Sequence, residues 1–432
     1  MIKAIKHNMF MSLLAIAAAA TTMTSCVKEQ LCFDTEGDVS MYDSLMQDHL
    51  DTYHVGKVNF KYDWNNITSH GMQVPDSMFV LVDRVIFQNV GSLALETKTE
   101  TGKILAPFTK IRPAVNSGIK DFDIYAGEYK FLTVNYSSTN FNYAEMQNLM
   151  TKTLSNHMSN VSIAYNSYKK GQKKNGELIL DEPENWMDAN QYTRPDGTPC
   201  SFVLTESAPV VIDSTTITKW EANETKTINF KPTTITQNID IFFDIKKDVS
   251  ELSFEVDSVY AVISGIPHRV NLGTGGLDIS DTDKMIFRTD LVNPNVVPDE
   301  KTQPVKDTPS NTKVRCFKNV TVLGIVENEL AETDLYAGPG VMQLIIYNKV
   351  YNTDGTVTYR TVTGMVNIHK SLLNAKLQLF DPDLQLYHKT REHSDLYISI
   401  DVTLSKSNIL GTDDGGIVKW NEQTIPSEFE IY

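Results

Sequence analysis

Val341-Met342-Gln343-Leu344-Ile345-Ile346-Tyr347-Asn348-Lys349-Val350 runs into Tyr351-Asn352-Thr353-Asp354-Gly355-Thr356 and then into Val357-Thr358-Tyr359-Arg360-Thr361-Val362-Thr363-Gly364-Met365-Val366-Asn367-Ile368. Two stretches rich in β-branched and aromatic residues thus flank an Asp-Gly pair. That pair accepts positive φ angles at little cost, so the segment predicts a β-hairpin. The same signature recurs upstream and downstream. Met78 to Phe87, Tyr129 to Tyr136, Ile239 to Ile245, Leu252 to Ile263, Val314 to Val326 and Leu396 to Leu404 are short apolar runs bounded by Gly, Pro, Asn or Asp. Each predicts a strand, and together they make the chain mainly β.

One region departs from this pattern. Between Asn142 and His157, Met146, Leu149, Met150 and Leu154 recur at helical spacing, which predicts a helix. Tyr165 to Gly176 follows with Lys169, Lys170, Lys173 and Lys174 among Gly and Asn, a composition for an exposed loop. Asp181 to Gly197, with Pro183 and Pro195, extends the irregular stretch. Helix and loops are read as an insertion near residues 142–200. The Thr-rich segment Lys231 to Gln237 marks a boundary between two β-rich halves, 55–235 and 236–432. Asn293 to Thr312, with Pro294, Pro298, Pro304 and Pro309, reads as a long loop inside the second half.

The first residues carry a different message. Lys3, Lys6 and His7 precede a short apolar stretch, Met9 to Ala20, which ends in Met23-Thr24-Ser25-Cys26. A basic start, a short apolar middle and small residues at a junction predict a secretory signal over residues 1–25. The stretch is too short to span a bilayer, which takes about 20 apolar residues. A cysteine directly after the small residues resembles a bacterial lipobox, with Met23 where a large aliphatic residue is usual. This reading makes Cys26 the lipidated N-terminus and residues 26–54 a polar tether.

Composition narrows the function further. The 432 residues carry a formal charge of −15, and losing the signal removes Lys3 and Lys6 but no acid. So acidic a chain is unsuited to nucleic acid, whose recognition needs a basic face. It is equally unsuited to anionic lipid surfaces, so attachment to the outer membrane would fall to the lipid. Cys32, Cys200 and Cys316 form no zinc or redox spacing. Cys316 reads as a small buried apolar residue; a Cys32–Cys200 pair is left open.

Several landmarks, taken in order, resemble a known family. They are the lipobox, Val58-Asn59-Phe60-Lys61-Tyr62-Asp63-Trp64, Pro75-Asp76-Ser77-Met78-Phe79-Val80, Ile124-Tyr125-Ala126-Gly127-Glu128-Tyr129-Lys130-Phe131-Leu132-Thr133-Val134-Asn135, and Ile263-Ser264-Gly265-Ile266-Pro267-His268. The order resembles the fimbrillin-like lipoproteins of Bacteroidales, which include FimB-type and Mfa-type fimbrial subunits and anchors. That resemblance implies two tandem transthyretin-like or Ig-like β-sandwich domains, the helix-and-loop insertion lying in the first. It also implies a cell-surface role in fimbriae, with fimbrial subunits or other surface proteins as partners. Subunits of this kind polymerise by strand addition, in which backbone hydrogen bonds give affinity and side-chain pockets set register. Some are cleaved in an early strand; Arg84 lies in such a strand and is read as an ordinary rim arginine. The terminal strand, near Ile417 to Trp420 and Phe429 to Tyr432, is read either as a donor or as part of its own sheet.

The motifs of catalysis are missing from the sequence. None of the nine histidines lies in a His-Glu-x-x-His or Cys/His zinc pattern. His388 and His393 are read as solvated loop residues. Gly273-Thr274-Gly275-Gly276 lacks the Lys-Ser/Thr of a phosphate loop and reads as a turn. Asp278-Ile279-Ser280-Asp281-Thr282-Asp283 and Asp413-Asp414-Gly415-Gly416 fit no calcium loop and read as solvated turns. The chain is therefore expected to be no enzyme and to take no cofactor or metal. A surface glycan binder is the alternative to a fimbrial anchor or accessory subunit. Among Trp64, Trp186, Trp220 and Trp420, Trp186 in its acidic loop is the expected ligand contact, and its exposure decides between the two.

Overall fold

The computed structural model describes residues 55–85, 92–93, 108–111, 122–135, 140–142, 161–194, 196–205, 210–248, 253–295, 303–326, 338–383, 386–404, 409–411 and 417–423. The expected signal, tether and lipid site, Cys32, and almost all of the expected helix after Asn142 lie outside these residues. The chain is mainly β and forms several sheets.

The main strands of the first part are β1 (Val55–Tyr62), β2 (Met78–Val85), β3 (Phe108–Ile111), β4 (Phe122–Tyr125), β5 (Gly127–Asn135), β6 (Ser162–Tyr165), β7 (Phe202–Val203), β8 (Val211–Ser214), β9 (Thr218–Trp220) and β10 (Thr225–Phe230). β1 lies between β10, parallel to it, and β4, antiparallel. β2 pairs with β3 and β5, and β5 continues to β8 and β9, all antiparallel. Alternation explains how the two sheets meet. Val58 and Phe60 of β1 are fully buried, whereas Lys57 and Lys61 are exposed. They pack with Val80, Tyr129, Phe131, Trp220 and Phe230 in one cluster. Its rings meet edge-on or stacked, Phe60 lying 5.6 Å from Phe131 and 5.7 Å from Phe230, within the favourable range for aromatic pairs.

The second part contains β11 (Gln237–Lys247), β12 (Phe254–Asn271), β13 (Leu277–Arg288), β14 (Lys313–Val322), β15 (Val341–Tyr351), β16 (Val357–Asn367), β17 (Gln378–Asp381), β18 (Leu386–Lys389), β19 (His393–Leu404) and β20 (Ile417–Gln423). Its pairing repeats that of the first part. β11 lies between β19, parallel, and β14, antiparallel, as β1 does between β10 and β4. β12 pairs with β13 and β15, and β15 with β16, as β2 does with β3 and β5, and β5 with β8 and β9. The hairpin read from the sequence is β15–β16. Its turn closes through Gly355 N–H to Asn352 O at 3.1 Å, with Gly355 at φ +85°.

The two parts share one core. Phe79 and Leu81 of β2, on the face away from Phe60, join Leu132, Val134 and Ile212 in a cluster that runs on through Ile239, Ile263, Leu344 and Leu404. The sheet of β2 is thus buried on both faces. The segment 162–203 also leaves the first part: β6 adds to β12, and β7 runs parallel to β13.

Candidate functional site

One face with exposed polar and charged side chains lies on the sheet of β14, β11 and β19. Period-2 alternation splits β11 cleanly. Ile239, Ile241, Phe243 and Ile245 are buried in the shared core, so Asn238, Asp240, Phe242 and Asp244 stand on the other face. Register then sets three-strand rows. Thr321, Asn238 and His393 form one row, Asn319, Asp240 and Asp395 the next, and Phe317, Phe242 and Tyr397 the third. In the third row Phe242 lies 4.9 Å from Phe317 and 5.1 Å from Tyr397, ring to ring. Tyr397 remains 45% exposed. Beyond it Arg315 grips Asp244 with two hydrogen bonds, 2.8 and 3.1 Å, and Lys313 approaches to 2.6 Å. Burial disfavours the Asp244 carboxylate, but these cations outweigh it and hold its pKa below the ordinary value.

His393 organises the first two rows. Its Nδ1 lies 2.9 Å from Asn238 Oδ1, and its Nε2 lies 3.3 Å from Asp240 Oδ2 and 3.8 Å from Asp395 Oδ1. Asn319 Nδ2 donates to Asp240 Oδ1 at 2.5 Å. His393 is solvated, as expected, but it is not in a loop: it opens a strand beside two carboxylates. His388 likewise lies in β18, with its Nε2 buried. The loop reading failed for both because only strand pairing supplies their neighbours.

Trp186 is not an exposed platform. It is 3% exposed and packs with Leu180, Phe202, Val262, Ile286 and Ile345. Its Nε1 donates to Glu182 Oε2 at 3.2 Å, and Lys170 Nζ lies over the ring at 5.0 Å. The acidic, proline-containing composition suggested exposure; the apolar outer face of β12, β13 and β15 covers the ring instead. Polar contacts fasten the rest of the loop. Gln343 donates to Met187 O at 2.8 Å and accepts from Ala189 N–H at 3.0 Å. Lys284 reaches Asp188 Oδ2 at 2.5 Å and Asn190 O at 2.9 Å. Asp283, fully buried, joins Arg194 and His268, the latter at 2.5 Å.

The Asp278–Asp283 stretch is accordingly part of β13 and not a solvated turn. Asp283 is engaged with Arg194, as is Asp281 at 2.8 Å. Gly273–Gly276 is the β12–β13 turn, where Asn271 Oδ1 accepts the N–H groups of Gly273 and Thr274 at 2.8 and 3.0 Å. Arg84 lies in β2 opposite Tyr129. Cys200 and Cys316 are buried free thiols. Burial pushes the Cys200 thiol up to about 12, which leaves it protonated and unreactive. β20 pairs antiparallel with β16 and, among the described residues, is the outermost strand of that sheet; Phe429–Tyr432 lie outside the described residues. Asp413–Gly416 lie outside the described residues.

No protein-family profile matches this chain, and no curated protein matches it. Solved structures do. The chain is similar in structure to adhesin-type and fimbrial proteins of Bacteroidales. A candidate adhesin from Bacteroides ovatus shares 13% identity, with 82% of this chain and 95% of that one covered and a TM-score of 0.39. The fimbrial anchor protein Mfa2 from Porphyromonas gingivalis shares 9%, with 84% and 99% covered and a TM-score of 0.35. A fimbrial assembly protein from Parabacteroides distasonis shares 9%, with 83% and 93% covered and a TM-score of 0.25. Those descriptions belong to those proteins.

Proposed function

We propose that this chain is a lipid-anchored cell-surface protein that works through structural protein–protein contacts, as a fimbrial anchor or accessory subunit. The observation that carries the reading is Met23-Thr24-Ser25-Cys26, placed after a short apolar stretch and ahead of a body whose described residues are mainly strand. In this proposal Cys26 bears the lipid, residues 27–54 are the tether, and residues 55–235 and 236–432 are tandem sandwich units. The repeated pairing of β1 and β11 with their neighbours supports the two-unit division. Partners are fimbrial subunits or other surface proteins. Contact by strand addition would use a sheet edge such as β20, because an edge strand leaves half its backbone groups unpaired. No catalytic step belongs to the proposal. Glycan binding is the less favoured reading, since the tryptophan that motivated it is buried.

Cys26→Ala should move the protein from the membrane fraction to the soluble fraction, and unchanged membrane association would reject the lipid anchor. Deleting the gene should alter fimbrial length or retention by electron microscopy, and fimbrial subunits should co-purify with the protein from cross-linked membranes. Unaltered fimbriae with no subunit recovered would reject the fimbrial role. Protease shaving of intact cells separates the outer face from the periplasmic one.

A further inference from the structure

The two adjacent rows that hold His393 and the pair Asp240 and Asp395 have a feature that neither anchoring nor fimbrial contact uses. Three ligand-type atoms, one nitrogen and two carboxylate oxygens, lie within 4.8 Å of one another. They come from two neighbouring strands, β11 and β19, whose registers place them side by side. A sheet holds such atoms more rigidly than a loop.

We propose that Asp240, His393 and Asp395 bind a first-row divalent metal ion of the Zn²⁺ or Mn²⁺ kind. The orientation of the imidazole is the first reason. An amide oxygen only accepts hydrogen bonds, so His393 Nδ1, 2.9 Å from Asn238 Oδ1, is the donor. The Asn238 amide is itself oriented, because its Nδ2 donates to Asn319 Oδ1 at 3.2 Å and Thr321 Oγ1 at 3.1 Å. With Nδ1 turned to Asn238, Nε2 is the ring nitrogen that faces two carboxylates, and its lone pair is open to a metal ion that displaces any proton there. Three ligand-type atoms then converge on one point where a cation can sit. A ring nitrogen held by an outer hydrogen bond while the other faces the metal is how protein imidazoles are usually aimed.

Spacing is the second reason. With metal–ligand bonds of about 2.0–2.2 Å, ligand atoms around a tetrahedral ion stand about 3.3 Å apart. His393 Nε2 and Asp240 Oδ2 are 3.3 Å apart, and Asp395 Oδ1 at 3.8 Å needs only a small side-chain rotation. Asn319 holds the other oxygen of Asp240, which leaves Oδ2 to the ion. The mixed nitrogen and oxygen set suits Zn²⁺ or Mn²⁺; Ca²⁺ takes six to eight oxygens. Side chains of His393 and Asp395 are 53% and 43% exposed, so an ion can enter from solvent and keep water in its remaining positions.

The test is titration calorimetry of the full mature chain, purified without a histidine tag, with Zn²⁺, Mn²⁺ and Ca²⁺ in turn. One Zn²⁺ or Mn²⁺ site per chain is expected to weaken at least tenfold in both D240N and H393A, and Ca²⁺ is expected to bind more weakly than either ion. Asn238→Ala removes no ligand but frees the ring, and a smaller loss of affinity is expected. Thermal melts of the ion-free variants show that the fold is kept. No uptake, uptake unchanged in D240N and H393A, or a Ca²⁺ preference indifferent to H393A would each overturn the proposal.

Discussion

Lys247 Nζ lies 2.8 Å from Asp307 Oδ2, and neither side chain reaches solvent. The ammonium also donates to Asp307 Oδ1 at 3.1 Å and Thr308 O at 2.7 Å, while Val256 N–H and Asn311 Nδ2 donate to the carboxylate at 2.7 and 3.2 Å. This pair ties the Pro-rich loop to the ends of β11 and β12. Such a pair is held by complete hydrogen bonding, because desolvation offsets much of its Coulomb attraction. Lys247→Met should therefore cost about 3–5 kcal/mol in urea unfolding, since Asp307 is left as a buried unpaired charge. Adding Asp307→Asn should recover a large part of that loss, because an amide oxygen still accepts from Val256. A double variant no more stable than the single one would show that the charge is not the source of the cost.

Asp244 links stability to pH. Its folded pKa is lowered by Arg315 and Lys313 against the opposing effect of burial. A depressed carboxylate contributes stability that is fully present above its unfolded value, ordinarily about 3.9, and is lost as pH falls through the folded value. Asp244→Asn should remove this contribution, so that its destabilisation is seen at neutral pH and shrinks below about pH 4. Equal destabilisation at pH 7 and pH 2.5, followed by denaturant melts, would contradict this.

Trp186 should behave as a core residue. Trp186→Ala is expected to cost about 3–5 kcal/mol, the usual range for removing a buried large aromatic. It should also speed tryptic cleavage after Lys169, Lys170, Lys173 or Lys174, which are exposed, because the neighbouring segment loses its anchor. Glycan-array signals, if any are found for the native chain, should not depend on this side chain. A variant with native stability and native protease resistance would refute the packing role.

The terminal strand β20 covers β16 from Thr361 to Val366. Removing residues 412–432 should leave that edge unpaired and promote self-association, as exposed edges do. Light scattering coupled to size exclusion is the measurement, with a lower melting temperature as its companion. A truncated chain that stays monomeric and melts like the native one would mean that β20 contributes little to the sheet.

Much of the architecture could be read before any coordinates. The Asp-Gly turn between Val341 and Ile368, the strands near Met78, Ile239 and Val314, and the exposed lysine loop after Tyr165 all lie where local pattern put them. Trp186 was misread because a polar, proline-containing loop looks solvated unless the apolar sheet face beneath it is known. His393 and Asp278–Asp283 were placed in a loop and a turn because the strand pairing that holds them is not visible in the local sequence.

Strand identity and facing are local properties: side chains alternate with period 2, and turn residues set where a run stops, so neighbouring residues carry that information. Pairing is not local. Asp240 meets His393 and Asp395 only because strands far apart in sequence are laid side by side, and Lys247 meets Asp307 only because a distant loop folds back onto the end of β11. The residues alone therefore determined a β-rich chain with a lipobox-like start. Tertiary structure decided which carboxylates face an imidazole and that Trp186 is buried, because backbone pairing and burial of common apolar faces, unlike local periodicity, join residues without regard to their separation along the chain.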